Sequence, residues 1–334
     1  MTKSIKAIIL FIVILVSGCS GWSINERQLT STSSGIASSQ AAGVKIREFL
    51  IPTGKSEPVG IAADPFGSLW FVEGLADKVA RITRWGAITE YDVPTPSDLN
   101  GIAPGPDGKM WFVEFSAGKV AKVTRDGVVT EYPLPSPSSI PSFITAGPDR
   151  RMWFTEGGSD KIGKMTTEGV LTEYAVPTSG SCPDGIAVGP DRNLWFTEFC
   201  GNKIGRITTS GRITEFGVPT GASYPNMITT GGDGNVWFTE FEGGKVAKIT
   251  TSGQISEYPI PSGGAPVGIV AGPDGALWFT EFSGNKIGRI TTAGVITEYD
   301  VPTRNSAPDF IAIGPDYNVW FTEYNAGKVG KLIP

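Results

Sequence analysis

Histidine is absent from all 334 positions of this chain. Its absence excludes a Ser-His-Asp or Cys-His mechanism, a histidine general base and the usual zinc sites. Long apolar runs are missing too, because the run at residues 7–16 has only ten residues, too few to span a bilayer core of roughly 30 Å. Positive charge is not in excess either: the net charge is −5, which argues against a nucleic-acid partner.

The N-terminal residues carry the features of an export signal. Lys3 and Lys6 precede the short apolar run, and Ser-Gly-Cys follows it and ends at Cys19. Small residues directly before a cysteine resemble a bacterial lipobox, which predicts a signal peptide over residues 1–18 and lipidation of Cys19; ordinary signal cleavage nearby is the alternative. Residues 19–44, rich in Ser, Thr and Gly, are then a flexible tether. We expect an exported protein on the periplasmic or extracellular face, attached to a membrane only through the lipid.

A phrase close to Trp-Phe-Thr-Glu returns every 41 or 42 residues. Each copy sits within four short runs rich in Val, Ile, Thr and aromatic residues, separated by Gly, Pro, Asp or Asn, which is typical of strands and turns. Four strands repeated at this period predict an all-β, seven-bladed β-propeller over residues 45–334. The repeated tryptophans are Trp70, Trp111, Trp153, Trp195, Trp237, Trp278 and Trp320.

Closure of the ring is also predicted. The last copy stops at Pro334, before its fourth strand, whereas residues 45–53 carry the Glu-aromatic-x-aliphatic-Pro pattern of that strand. We therefore expect residues 45–53 to form the outermost strand of blade seven, which removes an open sheet edge.

Features shared by every blade are interpreted as structural. The glutamate of the repeated phrase is followed five residues later by a lysine, as in Glu198 and Lys203. This spacing predicts cross-strand ion pairs around a hairpin turn, with Glu323 alone set aside as a functional candidate. The Asp residues of the Pro-Asp-Gly turns are assigned to turn formation.

The repeat breaks its symmetry at the residue that begins each innermost strand. This position is expected to line the mouth of the central channel, where propellers bind ligands. Two Asp, two Asn and one Ser form an oxygen-rich ring of the kind that binds Mg²⁺ or Ca²⁺, with Asp184, Asn226 and Asp309 as ligands; simple exposure to water is the alternative. The seven residues are Val59, Asn100, Ser142, Asp184, Asn226, Val267 and Asp309.

Two further features lie near the mouth. Five of the seven blades carry an aromatic residue directly after the repeated glutamate, Tyr324 among them; these rings either line a ligand site or pack between blades. Cys182 and Cys200 lie in loops on the same face of blade four, and export makes a disulfide between them plausible, with two free thiols as the alternative.

The strings NKIGRIT at residues 202–208 and GPDGALWFTE at residues 272–281 resemble the virginiamycin B lyase (streptogramin B lyase) family, and the resemblance covers all seven blades. It implies seven-bladed propellers that open a cyclic depsipeptide antibiotic by Mg²⁺-dependent elimination. It also implies four catalytic positions in the last two blades. Two histidine positions fall on Val267 and Asp309, one glutamate position falls on Ala307, and the other falls near Glu323.

With at most one of these four positions retained, we expect a monomeric binding protein. Its ligand would be a small molecule, glycan or peptide held at the channel mouth. A Mg²⁺-dependent lyase that uses Asp309 and Glu323, and a protein-interaction scaffold, remain as alternatives. The expected contacts are Asn100, Ser142, Asp184, Asn226, Asp309 and Tyr324.

Overall fold

The structure, a computed structural model, describes residues 44–333. The predicted signal peptide, Cys19 and all but the last residue of the predicted tether lie outside the described residues. Every regular element in this range is a β-strand, and the 28 strands form seven four-stranded antiparallel sheets. Within residues 44–333 no helix is long and apolar enough to cross a membrane.

Each of the first six blades consists of four strands that are consecutive in sequence, ordered from the channel outwards. Blade one contains β2 (Pro58–Ala63), β3 (Ser68–Glu73), β4 (Lys78–Thr83) and β5 (Ile88–Asp92). Blade two contains β6 (Leu99–Pro104), β7 (Met110–Glu114), β8 (Lys119–Val123) and β9 (Val129–Pro133). Blade three contains β10 (Pro141–Ala146), β11 (Met152–Glu156), β12 (Lys161–Met165) and β13 (Leu171–Ala175). Blade four contains β14 (Pro183–Val188), β15 (Leu194–Glu198), β16 (Lys203–Ile207) and β17 (Ile213–Gly217). Blade five contains β18 (Pro225–Thr230), β19 (Val236–Glu240), β20 (Lys245–Ile249) and β21 (Ile255–Pro259). Blade six contains β22 (Pro266–Ala271), β23 (Leu277–Glu281), β24 (Lys286–Ile290) and β25 (Ile296–Asp300).

Blade seven joins the two ends of the described chain. It consists of β26 (Pro308–Ile313), β27 (Val319–Glu323), β28 (Lys328–Ile333) and, outermost, β1 (Lys45–Leu50). The predicted closure is therefore confirmed, with the strand itself ending at Leu50 and Phe49 lying opposite Val329.

The second strand of each blade is buried on both faces, as its apolar sequence predicts. In blade two the indole of Trp111 stacks on Tyr132 of the outermost strand at 5.6 Å between ring centroids, and its Nε1 donates to Asp107 Oδ1 at 2.9 Å. The same indole-to-aspartate bond recurs in every blade. The aspartates of the turns thus anchor the core tryptophans, which agrees with their structural assignment.

The predicted glutamate–lysine ion pairs are wrong, although the register that suggested them is correct. Glu240 lies opposite Lys245 on the neighbouring strand, but Lys245 Nζ forms its salt bridge with Glu257 Oε2 at 2.8 Å on the outermost strand. Glu240 is fully buried and neither carboxyl oxygen has a hydrogen-bond partner. The lysine pairs with the outer carboxylate because that charge stays in contact with water, whereas pairing with Glu240 would require a fully desolvated charge.

The outer glutamate also connects neighbouring blades. Glu257 accepts hydrogen bonds from the backbone N–H of Thr220 at 3.0 Å and from its hydroxyl at 2.9 Å, and Thr220 lies in the loop that leaves blade four. At the ring closure Glu48 does the same for Thr303, at 3.0 and 2.8 Å, and accepts from Lys328 at 2.8 Å. The N-terminal strand therefore takes part in the same contacts that join the other blades.

Candidate functional site

The innermost strands present one residue each to the channel mouth. In all seven blades the pairing between the first and second strands shifts register at this point, for example between Pro183 and Ile186. A bulge of this kind turns a side chain out of the regular alternation. The seven positions that break the repeat all lie within this irregular stretch.

Two of these polar side chains, on blades four and five, are hydrogen-bonded to each other. Asn226 Nδ2 donates to Asp184 Oδ2 at 3.0 Å, and the hydroxyl of Ser142 on blade three lies 3.5 Å from the backbone oxygen of Ile140. Asp184 is 1% exposed, and its burial raises its pKa to about 7, partly offset by Ser142. The carboxyl therefore binds its proton more tightly than an exposed aspartate does.

Asp309 lies on the innermost strand of blade seven. It is 8% exposed, and burial together with the charge of Asp184 raises its pKa well above the ordinary value. Their repulsion disfavours the state in which both carboxyls are ionised.

Several polar atoms of the ring have no protein partner. Asn100 is 1% exposed and forms no hydrogen bond through either Oδ1 or Nδ2, and Asp184 Oδ1 and Asn226 Oδ1 are also unpaired. A buried amide without a hydrogen bond is costly, on the order of 1–3 kcal/mol. These atoms need a water molecule, an ion or a ligand.

The channel is spanned one residue further along the innermost strands. Phe143 of blade three and Phe310 of blade seven meet there, with ring centroids 5.1 Å apart, and Met227 of blade five occupies the same position in its strand. Four other blades carry glycine at this point, so the three large side chains have space to cross the axis. The polar ring thus lies above an apolar floor.

Aromatic side chains form part of the rim above the ring. Tyr224 stacks obliquely on Phe199 at 4.9 Å between centroids, and Phe282 lies 6.1 Å from Tyr324. Phe115 and Phe199 are buried between blades, whereas Phe241, Phe282 and Tyr324 are only half-buried. Packing therefore accounts for the aromatic residues of blades two and four, whereas those of blades five to seven keep part of their surface exposed.

The Tyr324 hydroxyl donates to Glu57 Oε2, a contact that sequence analysis missed. Glu57 is 8% exposed and directly precedes the proline that begins the innermost strand of blade one. Tyr224 holds the same position in blade five, and both have positive φ, 49° and 51°. In the sequence, the position before this proline was the signal that could have pointed to a second set of residues at the mouth.

The loops of blade four are joined covalently. Cys182 and Cys200 form a disulfide with Cα atoms 5.3 Å apart, within the range that the bond needs. The bridge lies beside Phe199 and Tyr224 and fixes that side of the rim.

Glu323 does not join Asp309 in the structure. It is fully buried, and the charges that act on it are those of Glu48 and Lys328, while burial raises its pKa to about 8. The other positions implied by the resemblance, Val267 and Ala307, are buried apolar residues. Of the predicted site residues, the structure joins Asn226 and Asp184 by a hydrogen bond; Asp309 is linked to Asp184 through its charge, and Tyr324 bonds to Glu57 instead.

Known proteins match the whole propeller. The model of the virginiamycin B lyase family matches residues 30–141 and 96–334. A streptogramin B lyase structure is 42% identical, with a TM-score of 0.83 over 87% of this chain and 97% of the other. None of the curated protein sequences matches the chain significantly.

Two structures of virginiamycin B lyase from Staphylococcus aureus also match. A selenomethionine form is 41% identical and a catalytically inactive histidine-to-alanine variant with Quinupristin is 40% identical; both have TM-scores of 0.84 and cover 87% of this chain and all of their own. A histidine whose loss inactivates that relative has no counterpart in a chain without histidine. The matched length and these identities show that the chain belongs to the virginiamycin B lyase family.

Proposed function

We propose that this chain is a ligand-binding member of its family that holds a small molecule, glycan or peptide at the channel mouth. The observation that carries this proposal is Asn100, whose buried amide has no partner in the protein. A ligand that satisfied the unpaired ring atoms would gain the hydrogen bonds that the folded chain leaves unformed. The proposed contacts are Asn100, Ser142, Asp184, Asn226, Asp309 and Tyr324.

A hard divalent cation fits the donor chemistry of the ring. Asp184 and Asp309 supply carboxylates, and Asn226 supplies an unpaired amide oxygen, which are ligands that Mg²⁺ and Ca²⁺ prefer. Among residues 44–333 no group of three or more acidic or sulfur side chains could hold a metal, so the amide oxygen is needed. A cation bound there would stabilise the ionised forms of both aspartates.

Calorimetric titration with Mg²⁺ and with Ca²⁺ tests the cation. We expect binding heat for the wild type and its loss in Asp184→Ala and Asp309→Ala, with Asp184→Asn as a second variant that keeps the side-chain volume. Asp92→Ala is the matched control, because Asp92 is a highly exposed acid on an outermost strand. Equal heats in all of these proteins would remove the cation from the proposal.

Elimination is the second candidate, and the raised pKa of Asp309 favours it. A carboxylate with a raised pKa is a stronger base than an ordinary one near neutral pH. It would take a proton from the carbon next to the one that bears the ester oxygen. A double bond would form between these two carbons while the bond from carbon to the ester oxygen breaks, so the acyl group would leave as a carboxylate and no water would be consumed. Incubation with a streptogramin B and Mg²⁺, followed by mass spectrometry and chromatography, should then give a linear product of unchanged mass. No product at high protein concentration would exclude the reaction on this substrate.

Export and lipid anchoring at Cys19 complete the proposal. Support comes from the Cys182–Cys200 disulfide, because disulfides persist mainly in oxidising compartments. Changing Cys19→Ser should move the protein from the membrane fraction to the soluble fraction, whereas the neighbouring change Ser20→Ala should not. A membrane fraction that Cys19→Ser leaves unchanged would contradict lipidation.

A further inference from the structure

The mouth is divided into an acidic side and an aromatic side. The acidic side lies on blades seven, one and two and comprises Asp309, Glu57 and Asp98. The aromatic side runs over blades four to seven and comprises Phe199, Tyr224, Phe241, Phe282 and Tyr324. Tyr324 belongs to both, because its ring lies near Phe282 and its hydroxyl donates to Glu57.

No cation of the protein neutralises the acidic side. Among the described residues, no lysine or arginine forms a salt bridge with Glu57, Asp98, Asp184 or Asp309. The charges that act on these groups are those of other acids: Asp98 acts on Glu57, Asp77 acts on Asp98, and Asp184 acts on Asp309. Such a site attracts positive charge.

Besides these acidic residues, the mouth contains buried polar atoms that have no hydrogen-bond partner. Asn100 occupies the position equivalent to Asp184, whose side chain reaches Asn226 and acts on Asp309 within the channel. Asn100 is 1% exposed with neither amide atom paired, and Asp184 Oδ1 is unpaired as well. These buried polar atoms leave hydrogen-bonding capacity for an incoming group.

We propose that the ligand of this mouth is an organic cation with an apolar or aromatic body. Its ammonium or guanidinium group lies between Glu57 and Asp309, and its body packs on Tyr224, Phe241 and Phe282. The acidic side supplies charge-assisted hydrogen bonds, and the aromatic side supplies apolar contact and cation–π attraction. This inference rests on the proposed binding function and specifies its ligand class.

Three indole compounds of similar size test the charge requirement in the wild-type protein. They are tryptamine, which is a cation, tryptophol, which is neutral, and indole-3-propionate, which is an anion. Ligand-detected NMR titrations in EDTA should give binding of tryptamine at least about tenfold tighter than that of tryptophol, with indole-3-propionate weakest. Equal binding of tryptamine and tryptophol would overturn the inference, as would no binding of any of the three.

Variants locate the two sides of the site. Glu57→Gln and Asp309→Asn should each weaken tryptamine about tenfold and leave tryptophol nearly unchanged, and Glu242→Gln, an exposed acid on the same face, is the matched control. Phe241→Ala should weaken both compounds, and Phe66→Ala, an exposed phenylalanine in a turn at the opposite ends of the strands, should weaken neither. Unchanged tryptamine binding in both acid variants would place the cation elsewhere and contradict the proposal. If a variant fails to fold, the wild-type comparison of the three probes still decides.

Adding Mg²⁺ tests whether a metal ion, rather than an organic cation, is the partner of the acidic residues at the mouth. We expect Mg²⁺ to compete with tryptamine, because both need the same carboxylates. Tryptamine that binds only in the presence of Mg²⁺ would mean that the metal alone satisfies the acids, and the inference would fail. Binding of tryptophol or indole-3-propionate that Asp309→Asn abolishes would retain the proposed binding function while rejecting the cationic ligand.

Discussion

A fully buried glutamate ends the second strand of every blade, and it affects how stability depends on pH. In all seven copies burial raises the pKa above 4.5, to about 7 or 8. The folded chain therefore binds more protons than the unfolded chain between these values. Stability contributed by these groups is present at low pH and is lost as the pH rises through this window. The glutamates are Glu73, Glu114, Glu156, Glu198, Glu240, Glu281 and Glu323.

Carboxyl groups whose pKa is lowered have the opposite effect on the pH dependence of stability. Hydrogen bonds from Lys245 and Thr220 outweigh the effect of burial and lower the pKa of Glu257, and those from Lys331 and Trp320 lower that of Asp316 to about 2. Their contribution is complete above the ordinary pKa and is lost as the pH falls below it. Maximum stability is therefore expected at about pH 5.

Replacing one buried glutamate tests this balance. The Tm of the wild type should fall between about pH 5 and pH 9, and that of Glu240→Gln should fall less, because an amide cannot ionise. At pH 9 the variant should be more stable by on the order of 2–3 kcal/mol, measured by thermal melts across the pH range. The control Glu242→Gln, an exposed neighbour, should follow the wild type. A wild-type Tm that rises from pH 5 to pH 9 would show that the glutamates are ionised in the folded state.

At the level of strands, glycine in four of the innermost strands allows the next innermost strand to approach closely. A Cβ on Gly185 would lie 2.5 Å from the backbone oxygen of Asn226, the residue that donates to Asp184. Gly185→Ala should therefore push β14 and β18 apart and cost about 1–3 kcal/mol. Gly217→Ala is the control, because no atom lies within 4 Å of its Cβ position on β17. Denaturant unfolding that gives both variants the same free energy of unfolding would contradict this account.

The strands themselves are predictable because the repeat supplies seven copies of one pattern. The period of the tryptophans predicted the seven blades, and the pattern of residues 45–53 predicted the strand that closes the ring; the structure confirms both. The partner of each lysine could not be predicted in this way. Strand register places Lys245 opposite Glu240, and only burial decides that Glu257 is the better partner. The contact between Tyr324 and Glu57 was also hidden, since it joins blades seven and one, whose residues are far apart in sequence.

At the level of the whole molecule, the ring depends on one strand from the other end of the chain. β1 pairs along its length with β28, and Phe49 stacks on Trp320 at 5.4 Å between centroids. Glu48 adds the hydrogen bonds from Lys328 and Thr303 that the outer glutamates form in other blades. The mouth depends on this closure because Asp309 and Tyr324 both belong to blade seven, and Tyr324 donates to Glu57 beside blade one.

Removing residues 45–53 should therefore destabilise the whole ring. The deletion exposes the edge of β28 and one face of Trp320, which is fully buried in the intact protein. We expect a loss of at least about 3 kcal/mol, the cost typical of removing one buried aromatic side chain, together with aggregation through the open edge. Thermal melts should place Glu48→Ala between this deletion and the wild type, because it removes the hydrogen bonds and keeps the strand. Deletion of residues 20–40, whose composition is poor in apolar residues, should leave the Tm unchanged. If the two deletion variants have the same Tm, the ring does not depend on its N-terminal strand for closure.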